Sequence, residues 1–226
     1  MLDNPVWHAL TTRHAHLAEG TGAVRRYRTD VSVFWAIERN EAGAWAEVAA
    51  LAGSGDAVVL IGPKGDSAPD WPVAWQLDGY QMVLDELVGA PVPADVRRLG
   101  VADVDAMLDL VARTRPGPFR RGTISMGEYH GVVRDDRLLA MAGQRLHLDG
   151  EGTTFHEISA IATDAEAQGQ GLAAGLSTMV LQAMLDADEV PFLHVVGTNA
   201  TAIRVYERLG FEVRTPYVFT AYEVPA

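Results

Sequence analysis

Ile158-Ser159-Ala160-Ile161-Ala162 leads through a short polar interval into Gln168-Gly169-Gln170-Gly171-Leu172-Ala173, and an apolar-striped segment continues to residue 188. The first run reads as a strand, within a longer one over 156–163. From 170 to 188, Leu172, Leu176, Met179, Val180, Ala183, Met184 and Ala187 fall on one helical stripe, which predicts an amphipathic helix. Glycines let a backbone come close to a ligand. The first turn of a helix adds unpaired N–H groups at the positive end of its dipole. Strand, glycine turn and helix in that order suit a diphosphate, although a glycine pair before a helix also reads as a tight turn with close packing.

Two other phosphate loops do not fit. A P-loop places Lys and Ser/Thr after its last glycine, and Gly171 is followed by Leu172. A dinucleotide fingerprint expects an acid roughly 20 residues on, at the end of the next strand. Here that strand, 192–196, ends at Val196-Gly197 without one.

Working outward, residues 103–113 carry Val104, Met107, Leu108 and Val111 at helical spacing behind an aspartate cap, and Pro116-Gly117-Pro118 breaks that helix. Residues 129–134 and 137–148 read as a hairpin turned by Asp135-Asp136. A helix over 200–209 stops at Gly210, and 211–224 supply closing strands. Before these, residues 31–37 read as a strand or short buried helix, 41–51 as a helix closed by Gly53-Ser54-Gly55, and 57–61 as a buried strand ended by Gly62-Pro63. A loop over 64–72, a strand over 73–77 and a further short element over 80–87 follow. Gly89-Ala90-Pro91-Val92-Pro93 is the linker candidate, because two prolines favour an extended segment.

The chain has 226 residues, 48% hydrophobic, with a formal charge of −12 and no cysteine. The acidic balance argues against nucleic-acid binding, which needs a basic footprint. Lack of cysteine removes disulfides, thiolate metal sites and a cysteine nucleophile. Residues 1–13 have no long apolar core and carry Asp3, and no run approaches the roughly 20 apolar residues of a membrane span. A cytoplasmic protein without membrane partners is expected; the oligomeric state is not readable.

Gln168-x-x-Gly171-x-Ala173 resembles the Gln/Arg-x-x-Gly-x-Gly/Ala motif of the GNAT superfamily of acetyl-CoA-dependent N-acyltransferases. Downstream, Asn199-x-x-Ala202-Ile203-x-x-Tyr206-x-x-x-Gly210-Phe211 is similar to that family's second signature. The resemblance covers residues 95–226. It implies an α/β fold whose central sheet is mixed, mostly antiparallel, splayed and flanked by helices. Residues 1–89 are expected to form a smaller N-terminal α/β region, with a degenerate half-copy of the same fold as one reading. The implied activity moves an acetyl group from acetyl-CoA to a primary amine of a small molecule or amino-acid-like acceptor. The implied cofactor contacts are the backbone of Ile161, Ala162 and Thr163 for the pantetheine arm, and N–H groups from Gln168, Gly169, Gln170, Gly171, Leu172, Ala173 and Ala174 for the pyrophosphate. Asn199 would also bond the arm, beside Ala202, and Tyr206 would lie near the thioester sulfur. The position that family members most often fill with arginine is Gln168, and no lysine or arginine lies between Thr163 and Ala202. Neutral donors and a dipole would hold the phosphates.

Aminolysis of a thioester needs a proton acceptor for the amine and a proton for the departing thiolate. Tyr206 is the expected acid and Glu157 the expected base, with a core tyrosine and a salt-bridged strand carboxylate as the rival readings. His156 would face the opposite side of the sheet from Glu157. His14-x-His16 lacks a partner at ligand spacing, so no metal is expected. Arg25, Arg26 and Arg28 read as a solvated face. Arg115, Arg120 and Arg121 flank a loop that, by the resemblance, borders the acceptor groove. Trp35, Trp45, Trp71 and Trp75 read as core. The competing functional classes are a non-catalytic acyl-CoA-binding module, a transferase of longer acyl groups and a nucleotide-dependent oxidoreductase.

Overall fold

The computed structural model describes residues 1–53, 57–64 and 70–225. Ser54-Gly55 of the expected helix stop and residues 65–69 of the expected loop lie outside the described residues. The elements in chain order are α1 (Pro5–Thr11), β1 (Ala18–Glu19), β2 (Val24–Tyr27), β3 (Trp35–Ile37), α2 (Ala42–Leu51), β4 (Ala57–Pro63), β5 (Val73–Leu84), β6 (Val96–Leu99) and α3 (Val104–Thr114). Then come β7 (Tyr129–Arg134), β8 (Arg137–Gly150), β9 (Thr153–Thr163), α4 (Leu172–Asp186), β10 (Glu189–Val196), α5 (Ala200–Leu209) and β11 (Phe211–Glu223).

β1, β2 and β3 make a small antiparallel sheet. The other strands form one eight-stranded sheet in the order β4-β11-β5-β10-β9-β8-β7-β6. Only β9 and β10 run parallel; all other neighbours are antiparallel. The fold is therefore the mixed, mostly antiparallel α/β sheet implied by the resemblance. No helix is long and apolar enough to cross a membrane among the described residues.

Local chemistry accounts for several of the boundaries. Asp135 and Asp136 both take positive φ (49° and 58°), the pairing of a type I′ turn whose twist matches the flanking strands. Residues 73–84 form one strand rather than two elements divided near Gly79. A side chain at Gly79 would put its Cβ 2.3 Å from the Val195 carbonyl oxygen, so the glycine admits the β10 backbone instead of breaking β5. β6 and α1 carry too little periodicity to be read from sequence. In the 31–37 stretch, only Trp35–Ile37 is strand.

Two layers cover the large sheet. On one face α4 buries Leu172, Leu176, Val180, Leu181 and Met184 against Ala140, Ala142, Ile158, Leu193 and Phe211. Each such leucine contributes about 1.5–3 kcal/mol by leaving water. Ala183 and Ala187, assigned to the same stripe, are exposed, and Leu181 takes the inward position. On the other face α1 and the small sheet press Val6, Leu10, Leu17, Tyr27 and Phe34 onto Leu146, Leu148, Phe192 and Tyr217. The Gly89–Pro93 segment has neither helix nor strand and crosses α4, where Gly175 leaves room for the Pro91 carbonyl and the Ala90 N–H donates to Thr178 Oγ1 at 2.9 Å. β4 and β5 precede that segment, yet they are strands of the same sheet as β6–β11.

Candidate active site

The parallel pair β9/β10 is joined from Thr154↔Glu189 only as far as Glu157↔Phe192. Beyond that point β10 continues against β5 alone, up to Val196↔Gly79, and β9 continues against β8 alone. The two strands thus part, and each offers one unpaired edge, β9 over residues 158–163. Within this stretch the β8 register jumps between Ser159↔Gly143 and Ala162↔Met141, and Ala160 takes φ 52°. A non-glycine residue in that region is strained by about 1–3 kcal/mol, and such bulges re-aim backbone groups beside functional sites. Ala162 is buried, and the Thr163 hydroxyl is a buried polar atom with no partner among the described residues.

The turn closes the parted end. Asp164 caps a 3-10 turn by accepting from Glu166 N–H at 3.1 Å, and its buried carboxylate pairs with Arg113 and, at 2.9 Å, Arg137. Gly169 and Gly171 then take φ 78° and 75°. A Cβ at either would meet no atom, so the need for glycine is conformational rather than steric. Gly171 is the N-cap of α4 and offers no side-chain cap. The N–H groups of Leu172, Ala173 and Ala174 accordingly find no acceptor among the described residues, while Gly175 N–H returns to Gly171 O at 3.0 Å. A row of free amides at a positive helix end fits an anion. A cation also reaches the turn from elsewhere: Arg134, at the end of β7, donates to Gln170 Oε1 at 2.9 Å and to Asp95 Oδ2 at 2.8 Å. Only the sheet order brings that guanidinium here, so no spacing in the sequence announces it.

Past the far end of β10, Asn199 caps α5, its Oδ1 accepting from Ala202 N–H at 3.1 Å. Its Nδ2 makes no hydrogen bond among the described residues. Tyr206 sits on α5, its ring edge-on to Phe211 at 6.1 Å, and its hydroxyl makes no hydrogen bond among the described residues. Burial pushes the phenol up to about 12, so it carries its proton at neutral pH.

Glu157 is placed differently from an accessible base. It is fully buried at the last paired position before the strands part. Arg145 donates to both its oxygens at 2.7 and 2.6 Å, and His194 Nδ1 donates to Oε1 at 2.8 Å. Burial raises such a carboxyl, but the Arg145 charge and hydrogen bonds, followed by His194, outweigh it and hold the group down at about 2. A carboxylate so held is a poor proton acceptor near neutral pH. His194 is lowered by burial and neutral. Its Nε2 faces Gln81 Nε2 at 3.0 Å, and the same amide donates to Leu2 O and accepts from Arg214, so Nδ1 carries the ring proton. Neither Arg145 nor His194 stands near Glu157 in sequence.

Other expected groups are engaged elsewhere. Arg25 lies over Trp7, Arg26 over Trp35 while pairing with Glu19, and Arg28 pairs with Asp30. Arg120 donates to Thr29 O and Arg121 pairs with Asp105, which ties this loop to the N-terminal layer and to α3. Trp35 and Trp45 are core, with Trp71 packed on Trp45, but Trp75 is 43% exposed.

A parallel strand pair that parts at a bulge, ending in an amide-lined glycine turn and a long helix, is the arrangement of an acyltransferase. Residues 129–220 match the family described as FR47-like protein. A GNAT-family structure from Novosphingobium aromaticivorans superposes with a TM-score of 0.86 at 35% identity, over 98% of this chain and 97% of that one. A GCN5-related N-acetyltransferase from Kribbella flavida shares the fold at a TM-score of 0.63 and 13% identity, over 99% and 96%. The mycothiol acetyltransferase of Mycobacterium avium is 35% identical over 100 residues, which are 41% of this chain and 30% of that protein. The match thus spans less than a third of the length of that relative. This chain belongs to the GNAT family of acetyltransferases.

Proposed function

We propose that the protein transfers an acetyl group from acetyl-CoA directly to a primary amine of a small molecule or amino-acid-like acceptor. The observation that carries this reading is the opening between β9 and β10 with free amides at its mouth. Its residues fit the donor. The unpaired edge at Ile161, Ala162 and Thr163 would bond the pantetheine arm. Amides from Gln168 to Ala174 would take the pyrophosphate, and Arg134 beside Gln170 adds the positive charge that the turn itself lacks. Asn199 Nδ2 and the α5 face at Ala202 and Tyr206 would line the thioester end.

The thioester supplies the activated acetyl group. The amine nitrogen forms the new C–N bond, the C–S bond breaks, and Tyr206, protonated at neutral pH, gives its proton to the leaving sulfur. We assign Glu157 to positioning: it anchors Arg145 and His194 under the point where the strands separate, and solvent takes the amine proton. Residues 95–226 carry every group with an assigned contact or proton transfer. The 1–89 region completes the sheet through β4 and β5 and covers its other face.

Calorimetric titration with acetyl-CoA and CoA release over a panel of small amines and amino acids test the reading together. Binding with turnover on at least one amine is expected. No binding refutes the site. Binding without turnover on any amine refutes the transferase in favour of an acyl-CoA-binding module.

A further inference from the structure

His147, His156 and Glu189 stand side by side on β8, β9 and β10, at the closed end of the strand pair whose other end forms the cofactor opening. His147 and His156 are direct cross-strand partners, and Glu189 opposes Thr154, two residues before His156. All three side chains alternate with residues of the core beneath the N-terminal layer, Leu146, Leu148 and Phe192, and so lie on the opposite face of the sheet.

Their ligand atoms gather in one place. One donor from each residue falls within 4.8 Å of the other two. His156 Nδ1 is 2.7 Å from one Glu189 oxygen, and His147 Nε2 is 3.0 Å from the other. The imidazoles stack nearly parallel, with centroids 4.1 Å apart. His156 is 4% exposed, and two buried ring nitrogens, His156 Nε2 and His147 Nε2, make no hydrogen bond among the described residues. His147 Nε2 thus lies close to a carboxylate oxygen but out of line for bonding to it. Buried polar nitrogens ordinarily have partners. Of the two, His147 Nε2 lies beside the Glu189 carboxylate, and His156 reaches the same carboxylate through its other nitrogen, Nδ1, so the three side chains converge as a donor set without a centre.

We propose that His147, His156 and Glu189 bind one divalent transition-metal ion of the zinc type. Two imidazole nitrogens and one carboxylate suit zinc, cobalt or nickel, whereas magnesium and calcium take oxygen shells. Ligands at about 2 Å from a tetrahedral ion stand about 3.3 Å apart, so small side-chain rotations convert the present spacing into coordination. The fourth position falls to water, since His147 and Glu189 reach the surface with side chains 19% and 14% exposed. Arg13 and Asp149 border the cluster as an ion pair at 2.7 Å, so they bring no net charge to it. His14 is turned away: its Nδ1 meets the Tyr27 hydroxyl at 2.8 Å. A bound ion would brace β8, β9 and β10 where they remain paired, a role separate from acetyl transfer and independent of the proposed reaction.

The test uses the full chain, without an affinity tag and freed of metal by a chelator. Titration with Zn²⁺ should show one equivalent bound, and Co²⁺ should give the visible absorption of a tetrahedral site. X-ray absorption of the zinc-loaded wild type should report two imidazoles and oxygen in the first shell. E189Q and H147Q should each weaken zinc about tenfold or more, with circular dichroism confirming that they fold. If a variant does not fold, the wild-type absorption spectrum decides by itself. Absence of stoichiometric binding, unchanged affinity in both folded variants, or loss of binding on H14A/H16A alone would each overturn the proposal.

Discussion

Glu157→Gln separates a positioning carboxylate from a catalytic base. In the native protein Glu157 receives two N–H bonds from Arg145 and one from His194, with side-chain exposures of 0% for Glu157 and 9% for Arg145. Glutamine keeps the shape but offers a single carbonyl to three donors. Its NH₂ must face either the guanidinium or the His194 N–H. The Arg145 charge is left buried without a counter-ion, a loss of about 3–5 kcal/mol. For a chain of this size each kcal/mol moves Tm by about 2–4 °C, so the expected fall is about 6–20 °C. The native carboxyl lies at about 2, below its ordinary 4.5. Its stabilisation is therefore complete above 4.5 and is lost as pH falls towards 2, and the variant should lack this acid-dependent component. Thermal melts followed by circular dichroism between pH 2.5 and 7, with kcat measured at a temperature where both proteins are folded, give the readout. A Tm within about 2 °C of native combined with a fall in kcat of about a hundredfold or more would refute the positioning role and restore the base. Replacing both partners, Arg145→Met with Glu157→Met, should recover much of the loss, because apolar pairs of similar volume replace buried ion pairs at little cost.

Tyr206→Phe should lower kcat about a hundredfold or more while leaving the KM for acetyl-CoA within roughly twofold, because the hydroxyl acts only as the sulfur departs. In the wild type, a phenol held at about 12 keeps its proton, so kcat should not decline as pH rises from 7 to about 10; steady-state kinetics across pH checks both statements. Gly171→Val forces a β-branched residue into φ 75°, at a cost of about 1–3 kcal/mol, and should raise the acetyl-CoA Kd about tenfold or more by calorimetry while the far-ultraviolet spectrum stays native. Asn199→Ala removes the α5 cap, lowering stability by about 1 kcal/mol and Tm by about 2–4 °C, and should weaken acetyl-CoA as well; an unchanged Kd would take Asn199 out of the site.

What could be read from the sequence is what its local chemistry encodes. The glycine turn at Gly169 and Gly171, the stripe of α4 and the Asp135-Asp136 hairpin each depend on residues within a turn or two of one another. The parting of β9 from β10 is not of that kind. It depends on where pairing stops, three residues before the Ala160 bulge, while β10 stays bonded to β5 along its other edge. The expected separation of 73–77 from 80–87 does not occur: a lone glycine ordinarily weakens a strand, but the need for Gly79 is set by Val195 across the sheet. Arg145 and His194 reach Glu157, and Arg134 reaches Gln170, only through strand order. Trp75 misled for a related reason: β5 runs beyond its β10 neighbour at this point, and residues 73–78 stay exposed.

One strand relates these features. β10 begins at Glu189 against the histidines of β8 and β9, makes its last pair with β9 at Phe192, joins the buried network at His194, and ends at Val196 just before Asn199. Its paired half is tied down and its unpaired half is held by β5. If β10 were to zip further along β9, Leu193 would next face Ile158, and the pairing would then run into the Ala160 bulge, where β9 is out of register. The Glu157 network has the same effect from beneath: His194, committed to Glu157 on one side and Gln81 on the other, fixes β10 at the first unpaired residues. The opening is thus maintained by strain and buried charge that the surrounding core sustains. A positioning role of this kind accounts for an ion pair so deeply buried lying directly under the proposed site of acetyl transfer.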